Sequence, residues 1–516
     1  MALLTEYTSY ADAQRHFTPA QLWELFDGNR EQLNIAHECI DRHAVDPHRI
    51  AIRIAHGDGQ DEAISFRTIA DASSRCAHWL AEQGVAAGDR VAIMLEPSLA
   101  FYVSLFGVMK LGAIAVPLFT LFGPDGARLR IDDCGPRLML TTPDKAQSLG
   151  ELPLPVVAVD EGFGARLSRY PAKFIPATRA DDLAIFQYTS GTTRELPAAV
   201  RHTHRAIVVV MIAALYGTGI RPADRFFCPS SPAWGHGLWH GTLAPLALGV
   251  ETGVYSGRFE PERLLRALQD FGTTNLSAAA THYRLIRNSG AAPHYHYDLR
   301  KLSFTGEPID GDSQEYVEAI FGTRLCSMYG TTEVGVILAN YPGADDFVSK
   351  PGALGKPVPG VKVEVQRPDG GPCPTGAVGE IRVWRHNAWF STKDRGWVDD
   401  GGTFFHAGRA DDVIISAGWT MSAVEIEDVL LRHPAVLDAA VIGASDALRG
   451  HVVKAFVVTD RTRDDTLAHD IQDFVRARLS QHEYPRIVVF VAELPKTPAG
   501  KVNRKALRER EMQEPA

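Results

Sequence analysis

Residues 80–97 read LAEQGVAAGDRVAIMLEP and residues 100–119 read AFYVSLFGVMKLGAIAVPLF; their alternation decides the class of fold. The first stretch is a helix end, a Gly-rich turn and a short apolar strand. The second is an amphipathic helix that turns at Gly112 into another strand. Short apolar strands alternating with helices are the pattern of α/β layers with parallel strands. The pattern recurs in PRLMLTT (136–142), PVVAVD (155–160), DLAIFQYTS (182–190) and NLSAAAT (275–281), all strand-like, and in PERLLRALQDF (261–271), which has helical spacing.

Two changes of texture follow. From Gly352 the chain reads GALGKPVPGVKVEVQRPDGGPCPTGAVGEIRVW, β-branched alternation cut by Gly/Pro turns, which predicts a small antiparallel sheet over about 350–408. Beyond Asp411, AVEIEDVLLRHPAVLDAAVIGA, KAFVVTD and DIQDFVRARL mix strand and helix over enough chain for a small domain. The expected organisation is a large N-terminal domain, 1–408, of layered α/β sheets with that antiparallel subdomain, then a small α+β C-terminal domain, 409–516, with the boundary in GRADD (408–412).

The chain has 516 residues, too many for one hydrophobic core, and its 45% hydrophobic and 22% charged content is that of a globular protein. A net charge of −9 with no Lys/Arg cluster argues against nucleic acid as a partner. The N-terminus does not read as a signal peptide, and the longest apolar run, residues 206–216, is about half of the ~20 residues a bilayer span needs, so it is read as a buried helix. Six cysteines without CxxC spacing argue against a zinc site or a disulfide framework and point to a reducing cytoplasm. Oligomeric state stays open.

No GxxxxGK[ST] loop, GxSxG elbow or HExxH pair is present. What stands out is YTSGTT, residues 188–193, after the apolar run LAIF. Thr189, Ser190, Gly191, Thr192 and Thr193 offer hydroxyl and backbone donors that can wrap an oligophosphate. Alone, the segment is equally a Ser/Thr/Gly-rich surface turn.

Four more segments follow in order: FTGEP (304–308), SMYGTTEVG (327–335), STKDRGWVDDGGTFFHAGRADDVIISAG (391–418) and LPKTPAGKVNRKAL (494–507). Together with TSGTT they resemble the acyl-adenylate-forming superfamily, and SPAWGHGLWHG (231–241) is similar to its short- and medium-chain acyl-CoA synthetase branch. The resemblance spans nearly the whole chain. It implies an AMP-forming acid–thiol ligase using ATP, Mg²⁺ and CoA: a carboxylate attacks the α-phosphorus of ATP, pyrophosphate leaves, and CoA then takes the acyl group from AMP. Two anions must meet, so positive charge and donors are needed at the α-phosphate.

The resemblance also implies roles. Lys501 would bridge the carboxylate and the α-phosphate, Thr332 would donate to that phosphate, and Glu333 would hold Mg²⁺, which favours one or two carboxylates plus phosphate oxygens. Tyr329, with Gly330 and Thr331 beside it, would stack on adenine, with Gly306, Glu307 and Pro308 as the opposite wall. Asp394 and Arg409 would reach the ribose; Lys393 stands where relatives have a glycine and cannot take φ > 0 as cheaply. Asp411 matches a hinge about which the C-terminal domain rotates between two poses, bringing Gly418 and Trp419 to the CoA channel. Trp234 would gate the acyl pocket, and Gly330, where acetyl-specific relatives carry tryptophan, leaves room for medium-chain, branched or aromatic acids. In residues 189–202, Arg194 replaces a glycine and Ala198 the usual lysine, leaving Arg194 or Arg201 to contact pyrophosphate. Two other readings stay open: a ligase that loads a carrier protein, and a nucleotide-binding protein without turnover.

Overall fold

The computed structural model describes residues 3–188, 198–306, 309, 311–331, 334–409, 414–416, 419–421, 423–495 and 504–513. The opening stretch folds as the alternation predicts. Helix Phe66–Glu82 ends before the Gly-rich turn, and strand Arg90–Met94 follows. Helix Leu99–Leu111 is capped by Ser98, whose Oγ accepts from the Phe101 N–H, and stops at Gly112 (φ +80°) before strand Ile114–Pro117. One detail corrects the sequence reading: this helix is not amphipathic, because Phe101 through Lys110 are all buried. A helix apolar all round belongs inside a large domain. Its single cation, Lys110, is buried against Asp41 (Nζ to Oδ1 2.6 Å).

Strands Val156–Ala158, Leu138–Thr141, Arg90–Met94, Ile114–Pro117 and Leu183–Tyr188 form a parallel sheet in that spatial order, closed by the antiparallel strand Ala199–Thr203. A second sheet of thirteen strands among the described residues has a parallel centre. There Thr252–Ser256, Phe226–Cys228, Asn275–Ala279, Lys301–Thr305 and Leu325–Thr331 run side by side. From Leu325–Thr331 the pairing turns antiparallel, through Gly335–Ala339 and Ala353–Pro357 to Phe404–Arg409, Ala388–Val398, Gly379–Arg385 and Val363–Gln366. The predicted antiparallel region is therefore hydrogen-bonded onto the large sheet as its continuation.

The last part of the chain builds a three-stranded sheet, Asp438–Asp446, Gly450–Val458 and Ile487–Val491, with helices Ala423–Leu430, Asp465–Arg478 and Arg504–Gln513. It docks closely on helix Pro124–Cys134. The Gly123 N–H donates to the Leu479 carbonyl, and a Cβ at Gly123 would lie 2.0 Å from the Ala477 carbonyl oxygen, so only glycine fits. Asp125 faces Arg478 at 3.4 Å and Arg432 at 3.9 Å. Among the described residues no helix is long and apolar enough to cross a membrane.

Candidate active site

A cavity of about 570 Å³ opens where the two large sheets and the C-terminal segment meet. The ends of several strands bring its polar groups together. Tyr329, near the end of strand Leu325–Thr331, donates from its hydroxyl to Asp394 Oδ2 at 2.7 Å, and His406 Nε2 lies 3.6 Å from the other oxygen of Asp394. Asp394 is buried, so its carboxylate depends on these neighbours. Its backbone is shaped locally: Lys393 takes φ +61°, its N–H donates to Ser391 Oγ (3.1 Å), and the Asp394 N–H donates to Thr392 Oγ1 (3.2 Å). Lysine holds this left-handed position at a cost of roughly 1–2 kcal/mol.

Gly306 follows strand Lys301–Thr305 with φ +96° and borders the cavity beside Ser327, Tyr329, Gly330 and Thr331. Gly330 has a backbone reason to be glycine. A Cβ there would lie 1.9 Å from the Gly335 carbonyl oxygen and 2.8 Å from Val336 Cα, because the hairpin with Gly335–Ala339 shifts register at this point. Its missing side chain would meet the neighbouring strand, which changes the reading of Gly330 as a glycine chosen for acyl volume.

The opposite wall comes from two π-helical stretches, Ala213–Gly217 and His236–Leu243, joined by strand Ala199–Thr203. Hydrogen bonds from i to i+5 widen a helix, and such turns are frequent at functional sites. Residues 206–216 form the expected helix, α up to Ile212 and π beyond; it is buried from Ala213 on, whereas its α part is buried on one side only, with Val209 exposed. Trp234, His236, Trp239 and His240 border the cavity with His202 and Gln187. Buried His236 is fully bonded: Nδ1 to Ser230 Oγ and Nε2 to Ser277 Oγ, both 2.9 Å, with Ser303 donating to Ser277 at 2.8 Å. Gln187 Oε1 accepts from Trp239 Nε1 at 2.9 Å. By contrast His202 Nε2, His240 Nδ1 and Gln187 Nε2 are buried without a hydrogen-bond partner among the described residues. Burial pushes the pKa of His202 and of His240 down to about 4 and holds that of His236 well below its ordinary value, so all three rings are neutral near pH 7.

At the rim toward the C-terminal segment, Trp419 stacks on His482 (centroids 4.3 Å) and meets Phe119 at a tilt of 53° (centroids 4.3 Å). Arg130 is buried with its guanidinium 3.8 Å from the Phe122 ring centroid and 3.9 Å from Glu483. Tyr188, the last residue before TSGTT, donates to Asp133 Oδ2 at 2.6 Å; burial and this bond raise its pKa. Arg201 is exposed at the cavity edge, 5.2 Å over the Phe186 ring, and makes no ion pair among the described residues.

The structure thus brings together Gly306, Tyr329, Gly330, Thr331, Asp394, Trp234, Arg201 and Trp419 around one cavity. Arg409 pairs with Asp394 through the backbone; its side chain lies outside the described residues. So do Thr189 to Thr193, Arg194, Glu307, Pro308, Thr332, Glu333, Asp411, Gly418 and Lys501. Sequence reading missed His406, although it lies in the quoted 391–418 segment, and missed Gln187, His202, His240, Arg130 and Glu483. His202 and His240 stood in quoted segments, but nothing local separates an unpaired histidine from a bonded one.

A family model described as AMP-binding enzyme matches residues 40–389, and one described as AMP-binding enzyme C-terminal domain matches residues 425–501. The chain is 30% identical over 552 residues to the acetyl-coenzyme A synthetase of Bacillus subtilis (strain 168), covering 98% of this chain and 96% of that one. It is 26% identical over 499 residues to the mitochondrial acyl-coenzyme A synthetase ACSM3 of Mus musculus, covering 88% and 85%. A solved structure of acyl-CoA synthetase from Brucella canis matches with a TM-score of 0.73 at 30% identity, over 98% of this chain and 99% of that one.

Proposed function

This chain belongs to the AMP-binding enzyme family and is an acid–thiol ligase of acyl-CoA synthetase type, and from that premise we propose that it activates a medium-chain, branched or aromatic acid. The acid's carboxylate oxygen attacks the α-phosphorus of ATP, the bond to the β-phosphate oxygen breaks, and pyrophosphate leaves. The CoA sulfur then attacks the acyl carbonyl, AMP departs, and the thiol proton passes to solvent.

The single observation that carries this reading is the continuous cavity of about 570 Å³ running from the Tyr329–Asp394 pair to the wall of Trp239, Ala213 and Val336. The first end suits a nucleoside, with an aromatic ring for the base and an anion for ribose hydroxyls. The apolar lining at the other, Ala213, Val336 and Trp239, suits a chain longer than two carbons, although one relative is an acetyl-coenzyme A synthetase. Gly306 lets backbone approach the base, Trp234 flanks the reacting carboxylate, and exposed Arg201 supplies a cation for pyrophosphate. Arg194 is the other candidate for that charge. Lys501 and Thr332 take the α-phosphate, the loop 189–193 the outer phosphates, and Glu307 and Pro308 the adenine wall. When bound, Mg²⁺ would neutralise phosphate charge through Glu333; among the described residues no cluster of His, Cys, Asp or Glu offers a separate metal site. The chain works as two units, 1–408 and 409–516, the second turning near Asp411 to bring Gly418 and Trp419 to the CoA path.

Pyrophosphate release assayed across carboxylic acids of two to eight carbons, straight, branched and aromatic, tests this, with acyl-CoA formation followed on adding CoA. The expected result is an optimum above three carbons and CoA-dependent AMP release. An optimum at acetate overturns the substrate class, and acyl-AMP formed but not passed to CoA overturns the acceptor.

A further inference from the structure

The C-terminal segment meets the rest of the molecule where two helix ends abut. The last turn of helix Asp465–Arg478 faces the first turn of helix Pro124–Cys134, ends of opposite partial charge, and the Gly123 N–H donates to the Leu479 carbonyl. Two glycines shape this face, and neither is required by its own backbone. Gly123 is extended (φ −75°, ψ 179°), a conformation open to any residue, and Gly126 stands inside a helix, where alanine is much the better former. What both permit is close approach. The three atoms nearest a Cβ on Gly123 all belong to Ala477 and Arg478, at 2.0 to 2.8 Å, and those nearest a Cβ on Gly126 belong to Arg478 and Leu479, at 2.9 to 3.3 Å. Phe122 pairs with Ser480 across the same junction, and Asp125 faces both Arg478 and Arg432.

This junction fixes which side of the C-terminal segment the cavity meets. Ile415, Trp419 and Glu483 border it, and among the described residues none beyond Glu483 does. Leu494 and Leu507, which flank Lys501 in the chain, pack with Ala440 and Ile442. Alternation along strand Asp438–Asp446 puts those two on the face opposite Val441, whose cluster Trp419 joins. We propose that Gly123, Asp125 and Gly126 are positioning residues for acyl transfer: they form a cradle that holds the C-terminal segment in the pose that serves CoA, and they take no part in adenylation. This rests on the acyl-CoA synthetase reading above, with its second unit turning near Asp411. Such a turn withdraws residues 477–480 from the cradle, so a side chain at position 123 collides in this pose alone.

The test measures the two half-reactions of the full chain apart, using the acid that releases pyrophosphate fastest: single-turnover pyrophosphate release without CoA, and acyl-CoA formation from supplied acyl-AMP. Gly123→Ala should slow transfer at least ~10-fold, as expected for overpacking against backbone, and leave adenylation within about 2-fold. Gly126→Ala, with its looser fit, should act in the same direction and less. Asp125→Lys sets a cation against two arginines and should slow transfer about 3-fold, the scale of a surface ion pair, and adding Arg478→Asp should recover part of that loss. An equal loss in both half-reactions marks a merely structural role and overturns the proposal, as does wild-type transfer in Gly123→Ala. Should that variant fail to fold, Asp125→Lys decides, and unchanged transfer there overturns the proposal. A wild-type chain that releases no pyrophosphate, or that forms acyl-AMP without passing it to CoA, removes the underlying function and this inference with it.

Discussion

At one end of the cavity Tyr329 donates to Asp394 and His406 stands 3.6 Å from the same carboxylate, whereas at the other His202 Nε2 and His240 Nδ1 are buried with no hydrogen-bond partner among the described residues. Both ends are buried and both carry polar atoms. The first end holds its polar groups in mutual bonds. The second carries two ring nitrogens without such bonds among the described residues, at a cost of about 1–3 kcal/mol for each unmade bond.

Acid should break this contrast most broadly. Histidines whose pKa falls to about 4 on folding bind fewer protons folded than unfolded between there and about 6.5, so acid favours the unfolded chain. Stability is fully present above about 6.5 and is lost as pH falls toward 4. For buried His204 alone the loss is on the order of 3 kcal/mol. The melting temperature measured from pH 7.5 to pH 4 should drop steadily below 6.5; a flat profile would mean the histidines are not buried as described.

Lys501→Ala should lower adenylation by at least ~100-fold, as expected for loss of one charge-stabilising donor, while ready-made acyl-AMP is still converted to acyl-CoA; equal loss in both half-reactions would remove Lys501 from the first. Gly330→Trp, which the resemblance makes a switch toward acetate, meets backbone at 1.9 Å. It should instead destabilise by about 1–3 kcal/mol or more, read as a lower melting temperature. A stable variant with shifted acid preference would show that the hairpin opens to admit the ring. Tyr329→Phe removes a bond to a carboxylate and should raise the KM for ATP about ten-fold, the equivalent of ~1.4 kcal/mol, with a smaller effect on the KM for the acid. Lys393→Gly relieves a left-handed φ but loosens the unfolded chain, so its effect is the smallest: a gain of about 1 kcal/mol or less in denaturant titration.

Much of the Tyr329–Asp394 end of the cavity was legible because its residues stand in contiguous segments. FTGEP and SMYGTTE deliver residues from strand ends, and Asp394 comes from within strand Ala388–Val398. The left-handed backbone at Lys393 was not legible, since lysine takes φ > 0 less cheaply than glycine and only the fold imposes it. Less legible was helix Leu99–Leu111, taken as amphipathic but buried all round, since a 3.6-residue period counts apolar positions and not what packs on them. The π turns at Ala213–Gly217 and His236–Leu243 left no local signal, because their widening is decided by neighbours.

What the sequence determined by itself was the order of helices and strands, since periodicity, caps and turn residues act over a few neighbouring positions. Tertiary structure alone decided which polar groups are completed. His236 is satisfied by Ser277, 41 residues away; Lys110 finds Asp41; and Gly330 must be glycine because another strand's carbonyl oxygen passes beside it. The physical reason is the short reach of hydrogen bonds and hard-sphere contacts, which only groups brought within about 3–4 Å by the fold can feel. His236 and His240 are identical in composition and four positions apart, and only the folded chain bonds both nitrogens of the first and leaves Nδ1 of the second without a partner among the described residues.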